Sequence, residues 1–321
     1  MKHIHFVYDQ SEKKRVDLVI ASRIPSITRS QVSTLFSSLK VNGKDAKLSY
    51  KLKMKDDVIF EYAEPKRPTN APENIHLNIV YEDENVIVVN KQSHLTTHPC
   101  NTSPSGTLVN ALNYYRLHIS SIKDEFASTL TDSLKAGVDT EAGCDDPLRQ
   151  GIVHRLDKDT TGLIITARNK KTSDFLKLQF KAHRVKKFYI ALLDGVPKER
   201  CGIIKTSICR SKKDGRCFVT TNNLSKGRTA LTRFRIIQVT NNISLAKFRI
   251  YTGRTHQIRV HAKYLGAPVL HDALYGKRSK EQSAFLFLHA YKLELDIAKG
   301  VHKVFTLPLP KRFREYLRHE K

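Results

Sequence analysis

Short apolar runs rich in β-branched residues, each bounded by polar turns, set the limits on what this chain can fold into. Residues 77–81 and 86–90, parted by the polar turn Glu82-Asp83-Glu84-Asn85, read as a hairpin. Residues 188–193 read as a buried strand, 247–251 alternate as a half-exposed one, and 285–290 and 303–307 read as further strands. Helices are expected to start near Gly106, to cover residues 172–182, and to run from Thr255 to Leu265 with Ile258, Ala262 and Leu265 on one face. Strands and helices therefore alternate without a repeating strand–helix–strand order, and no internal repeat is evident.

The run from Gly151 to Ile165 departs from this pattern in its middle. Seven polar residues, two of them acids, stand between the apolar pair Ile152-Val153 and the run beginning at Leu163, both of which read as strands. Rigid flanks position loop side chains well, so His154, Arg155, Asp157, Lys158 and Asp159 are candidates for chemistry. Cations on both sides of Asp157 suit a carboxylate kept ionised by opposite charge. Asp159 would face the other way in an extended loop, and Thr160 and Thr161 suit it to local turn bonding. Local physics leaves the two aspartates close to tied.

Composition narrows the partner. The 56 Lys and Arg against 31 Asp and Glu give a formal charge of +25, more than solubility needs, and a polyanion is the expected ligand. Nucleic acid fits better than an anionic membrane, because no run approaches the length of a membrane span and Met1 to His5 lack a signal peptide's apolar stretch. A soluble cytoplasmic protein, expected to be a monomer, follows. Cys100, Cys144, Cys201, Cys209 and Cys217 are scattered without C-x-x-C spacing, and the histidines fall singly, so neither a disulfide framework nor a metal site is expected.

Residues 15–62 form a distinct basic unit. Val16, Val19, Ile20 and Ile24 recur at helical spacing up to Pro25, and Ser30 can cap a second helix with Val32, Leu35, Phe36 and Leu39 on its apolar face. Asn42-Gly43 is a hairpin signal, and residues 57–62 end in strand-like alternation. Arg15, Arg29 and Lys44 are among its many cations. The first residues read as a tail, and residues 65–68 as a linker. At the other end, residues 311–316 read as a basic tail. Asp124, Glu125, Asp132, Asp139, Glu141, Asp145 and Asp146 crowd residues 123–146, out of character with the rest, and a flexible acidic insertion over about 116–148 is expected.

The basic unit resembles an S4 domain, on Arg15-Val16-Asp17, Val41-Asn42-Gly43-Lys44 and Asp56-Asp57-Val58. That resemblance implies docking of structured RNA by shape and phosphate contact over residues 1–66, with Arg15, Arg29 and Lys44 as RNA-binding residues. His154-Arg155-Leu156-Asp157 resembles the core motif of the RluA-type pseudouridine synthases. Residues 91–99 resemble their K-P-x-G-L-x-x-H-P segment, with Gln92 at the usual proline and His94 at the usual glycine. Lys187-Phe188-Tyr189 is similar to their K-x-Y strand, residues 252–261 to their T-G-R-T-H-Q-I-R-V-H block, and Leu265-Gly266 and Leu274-Tyr275-Gly276 to their later turns.

What the resemblance implies is an α+β fold: a mixed, mainly antiparallel sheet forming a catalytic domain over residues 77–321, beside a small α/β S4-like domain. It further implies isomerisation of a uridine to pseudouridine without metal or organic cofactor, in large-subunit ribosomal RNA, with transfer RNA the alternative. Asp157 would be the catalytic nucleophile or base, Tyr189 would stack on the base and help remove the C5 proton, and Arg254 would pair with Asp157. Arg155 would fill the space left by the flipped uridine, with Ile258 beneath the base and His154 also binding substrate. A non-catalytic RNA-binding factor would have no reason to hold Asp157, Tyr189 and Arg254 together. A glycoside hydrolase would need carboxylates on opposite sides of a sugar, which Asp157 and Asp159 are ill placed to supply.

Overall fold

Asn42 and Gly43 both take positive φ, 52° and 74°, the pair of left-handed residues that a two-residue hairpin turn requires. They fold Phe36–Val41 (β2) back onto Lys44–Asp45 (β3), and the Asn42 side chain accepts a hydrogen bond from the Asp57 amide and donates one to Asp56. The computed structural model describes residues 1–64, 68–122, 124–128, 149–211, 215, 217–221, 227–276 and 285–319, and it divides into Met1–Pro68 and Thr69–Lys321.

In the first unit, Lys2–Val7 (β1) and Asp57–Tyr62 (β4) complete an antiparallel sheet of order β1-β4-β2-β3. Val16–Arg23 (α1) and Arg29–Leu35 (α2) cover it, burying Val16, Ile20 and Val32 against Leu39, Val58 and Phe60. Two expectations are corrected. The first residues are not a tail but β1, in which Ile4 and Phe6 turn inwards by simple alternation. The second helix starts from Thr28, whose amide donates to Gln31, and ends at Leu35, so Phe36 and Leu39 belong to β2.

The second unit is built on a sheet of ten strands. Its strands are Ile79–Glu82 (β5), Val86–Lys91 (β6), Thr161–Ala167 (β7), Lys186–Asp194 (β8), Cys201–Arg210 (β9), Phe218–Thr221 (β10), Arg228–Thr240 (β11), Ile243–Ile250 (β12), Leu288–Ala298 (β13) and Val301–Thr306 (β14). The order is β10-β9-β11-β12-β8-β13-β7-β6-β5, with β14 on β13, and only the β13–β7 pairing is parallel among the described residues. Alternation gives the sheet two buried faces. Ile87, Val89, Ile164, Ala191 and Phe248 meet Leu108–His118 (α3) and Gln257–Tyr264 (α5) on one side. On the other, Val86, Val88, Leu163 and Ile165 meet Lys170–Lys181 (α4), while Ile190, Leu192, Ile243 and Leu245 meet Lys311–His319 (α6). The basic segment expected as a tail is thus a helix that buries Phe313 and Leu317, four residues apart.

The acidic stretch is corrected where it begins. Arg116 lies in α3 and Asp124 is buried, in ion pairs with the equally buried Arg116 and Arg168. Residue 123 and residues 129–148 lie outside the described residues, as does the expected flexibility there. No helix among the described residues is long and apolar enough to cross a membrane.

The parallel contact of β7 with β13 depends on Gly162. At φ 110°, a Cβ there would come within 2.3 Å of the Ala290 carbonyl oxygen. Gly162→Ala is expected to destabilise the protein by about 3 kcal/mol or more, through strain and backbone displacement together. Gly300→Ala, at φ 78° but with nothing near its Cβ, serves as the control and should cost only about 1 kcal/mol. Urea unfolding midpoints at unchanged slope measure the difference, and equal costs would refute the close-approach argument.

Candidate active site

The polar loop sits immediately before β7, and its upstream flank is not a strand: Ile152 makes only an isolated bridge to Thr166. The loop is fixed instead by the turn that follows β6. Thr97 donates its hydroxyl to the Leu156 carbonyl at 2.8 Å, Ser93 to the Asp159 carbonyl at 3.1 Å, and Lys91 to the Lys158 carbonyl at 3.0 Å. Lys91 is almost fully buried, and its ammonium also donates to the carbonyls of Gln92 and Leu95, both at 2.9 Å. Burial pushes its pKa down to about 8, against the attraction of Asp159 and Asp157. An ammonium has three protons to donate, and three carbonyls receive them. His94, standing where the family pattern has glycine, takes the left-handed φ of 61° that glycine would favour, and its Nδ1 lies 3.0 Å from the Asp159 carboxylate.

That contact separates the two aspartates. Asp159 is held at the rim by His94, whereas Asp157 lines an inner recess of about 100 Å³ together with Arg155, Tyr189, Arg254, Ile258 and Arg259. The recess shares Arg155, Asp157, His256 and Arg259 with an adjoining cleft of about 540 Å³. Tyr189 comes from β8 and is buried; burial and the charge of Asp157 push its pKa well above the usual phenol range. Its hydroxyl stays protonated at any physiological pH. Ile258, on α5, is buried at the recess wall, and Arg155 is exposed at the mouth.

The expected pairing of Arg254 with Asp157 is corrected. Arg254 donates its Nε to the Thr229 carbonyl of β11 at 3.0 Å, and the ion pair of Asp157 is with Arg259 Nη1 at 3.8 Å. Arg259 can reach because Asp272 grips it from behind, accepting from Nε at 2.7 Å and Nη2 at 2.8 Å. Asp272 is itself held by the amides of Leu274 and Tyr275. This fixed fork leaves one guanidinium nitrogen aimed at the aspartate. Gln257 builds the turn that carries both arginines: its Oε1 accepts from the Thr252 hydroxyl and the Arg254 amide, while its Nε2 donates to Leu231 and Thr232. His256 sits at φ 55° with Nδ1 2.8 Å from the Tyr275 hydroxyl, which already accepts from the Phe218 amide. Desolvation lowers the His256 pKa, which suits a neutral ring that accepts a hydrogen bond from the Tyr275 hydroxyl.

His154 is also corrected as a substrate-binding residue. Its Nε2 accepts a hydrogen bond from the Ile165 amide at 3.0 Å and its ring stacks on Phe180 of α4, away from the recess. Burial pushes its pKa down to about 3, so it is a neutral strut at the start of the loop. Lys91, Arg259 and Asp272 were not singled out from sequence. Arg259 lay within a quoted motif, but nothing local distinguished it from Arg254. In the first unit, Arg15 and Arg29 both bond the Asp17 carboxylate, leaving their guanidinium groups partly exposed, and Lys44 is exposed on β3. Among the described residues no three His, Cys, Asp or Glu gather as metal ligands.

Lys91→Met keeps the length of the side chain and strands three carbonyls, of which that of Leu95 is buried. It is expected to cost about 3 kcal/mol of stability or more and to lower kcat at least roughly tenfold by loosening the loop. Urea unfolding with single-turnover kinetics tests this, and a stable variant with full kcat would refute the clamp.

The geometry has counterparts. The RNA pseudouridylate synthase family matches residues 85–264, which contain the clamp, the polar loop and both arginines. A ribosomal large subunit pseudouridine synthase D of Borreliella burgdorferi is 37% identical over 310 residues, covering 94% of this chain and 88% of that protein. An uncharacterized RNA pseudouridine synthase of Aquifex aeolicus is 36% identical over 319 residues, covering 95% and 93%. The solved structure of human RNA Pseudouridylate Synthase Domain Containing 4 shares the fold at a TM-score of 0.53 and 23% identity, over 75% of this chain and 92% of that one. Sequence, sheet and recess agree, and the chain belongs to the RNA pseudouridylate synthase family.

Proposed function

We propose that this enzyme isomerises uridine to pseudouridine in large-subunit ribosomal RNA, with Asp157 carrying the reaction. The observation that carries the reading is the Asp157 carboxylate at the wall between a small inner recess and a larger open cleft, with one arginine aimed at it and a protonated phenol beside it. The relatives named for large-subunit RNA support the substrate class, including a second one from Zymomonas mobilis at 33% identity over 276 residues.

In this reading the flipped uridine enters the recess and its ring lies between Tyr189 and Ile258. Arg155, exposed at the mouth, occupies the gap left in the RNA, offsetting an unstacking cost of a few kcal/mol. Asp157, with Arg259 3.8 Å away, acts at the sugar or ring as the C1′–N1 bond breaks. The uracil turns within the recess and the C5–C1′ bond forms. The proton leaving C5 is matched by one gained at N1, so the reaction is an isomerisation without electron transfer. Tyr189 serves by stacking and by donating its hydroxyl. In this reading the C5 proton leaves with the help of Tyr189, to Asp157 or to water it orients. Arg254, anchored on Thr229, faces the RNA beside the recess. The first unit acts as an S4-like docking module through Arg15, Arg29 and Lys44.

Asp157→Asn is expected to lower pseudouridine formation by about 10³-fold or more, with RNA affinity nearly unchanged. Turnover near the wild-type rate in a tritium-release assay would sink the assignment. Removing residues 1–66 should weaken binding to a large-subunit RNA fragment and flatten its log–log salt dependence by about 2 if the three named cations each hold a phosphate. Chemistry on a short stem-loop should survive. A truncated protein with the full salt slope would argue against docking.

A further inference from the structure

The face of the large sheet behind the recess changes character along its strands. Where Ile190, Leu192, Ile243 and Leu245 point outwards, α6 covers them with Phe313 and Leu317. Further along the same face no element among the described residues covers it. There the strand register sets Ile203 of β9, Arg233 of β11, Arg249 of β12, Phe188 of β8 and Lys292 of β13 side by side. At about 4.8 Å per strand spacing, this row spans about 19 Å. The next row holds Arg235 directly opposite Lys247. Tyr189 and Ile250, the neighbours of Phe188 and Arg249 in their strands, line the recess on the opposite face.

Arg233 faces Arg249 and Arg235 faces Lys247 across the same strand pair. Like charges placed directly opposite destabilise a sheet, and none of these four makes an ion pair among the described residues. The acid that shares this stretch, Glu294, is engaged by Lys186, Lys292 and His302. Aromatic rings hold the cations flat on the surface. Arg249 lies over Phe188 at 5.6 Å and Tyr251 at 4.7 Å, Lys292 over Phe188 at 5.2 Å, and Lys247 over Tyr291 at 5.7 Å. Ile203 stands exposed at the end of the row.

We infer that this uncovered face is a second RNA-contact surface, which takes the phosphate backbone of another segment of the RNA whose uridine occupies the recess. An acidic peptide would meet the charges but leave the rings unused. A polynucleotide engages both, with phosphates on the lysines and arginines and bases on the guanidinium and ring faces. The inference rests on RNA being the substrate, and not on which RNA it is.

The test is the full-length Arg233→Gln/Arg235→Gln/Lys247→Gln variant, whose substituted side chains are exposed and remote from the recess. The probes are a poly-U oligonucleotide and a polyglutamate of equal charge. Loss of three phosphate contacts should flatten the log–log salt slope for poly-U by about 2 and weaken binding roughly tenfold or more. Single-turnover rate on a short RNA stem-loop should be unchanged, and Arg233→Lys/Arg235→Lys should keep the wild-type slope. Unchanged poly-U affinity and slope in the triple variant would overturn the inference, as would wild-type preference for polyglutamate or a parallel fall in stem-loop rate. Were the ribosomal substrate wrong, ribosomal stem-loops would go unmodified while the poly-U difference persisted.

Discussion

A single buried ammonium organises the polar loop that carries Asp157. Lys91 ends β6, reaches the carbonyls of its own turn at Gln92 and Leu95, and crosses to Lys158 next to Asp157. Without a partner a buried charge would be costly, and the two segments supply partners only when they meet in one geometry. The Thr97 and Ser93 bonds add to this lock, so the backbone on both sides of Asp157 is held from the same turn. The Asp157 side chain is thereby aimed into the recess by its own backbone.

Two further constraints converge on that side chain. The Arg259–Asp272 fork is a paired buried charge whose spare nitrogen approaches Asp157 at 3.8 Å, near enough for attraction yet leaving the carboxylate oxygens available. His94 takes the competing carboxylate of Asp159 out of the recess. One acid is thereby left lining the recess where the sequence offers two. His94 holds a left-handed φ of 61°, where glycine is usually favoured, while its side chain finds a bond to Asp159.

Local signals were readable wherever structure is decided locally. The Asn42-Gly43 turn, the β5–β6 hairpin, the buried strand around Leu192 and the helix after Thr255 all follow from short-range pattern. Errors fell where a distant partner decides. His154 looked like a ligand because it is polar in a polar loop, but its partner is the Ile165 amide eleven residues on. Arg254 and Arg259 could be told apart only through Thr229 and Asp272. Residues 2–7 looked like a tail because their pairing partner is β4, far along the chain. Phe313 and Leu317 carried a helical spacing in the open, hidden by the basic residues around them.

The strand order has a consequence for how the enzyme comes into being. β13, drawn from residues 288–298, lies between β8 and β7, and so joins the half-sheet that carries Tyr189 to the half-sheet that follows Asp157. Until that strand emerges from the ribosome the two halves have no shared hydrogen-bond ladder, and their contacts span more than a hundred residues of chain. Assembly of the site is therefore a late, essentially post-translational event. A nascent chain that has already made its N-terminal cations does not yet hold Asp157 and Tyr189 in one recess.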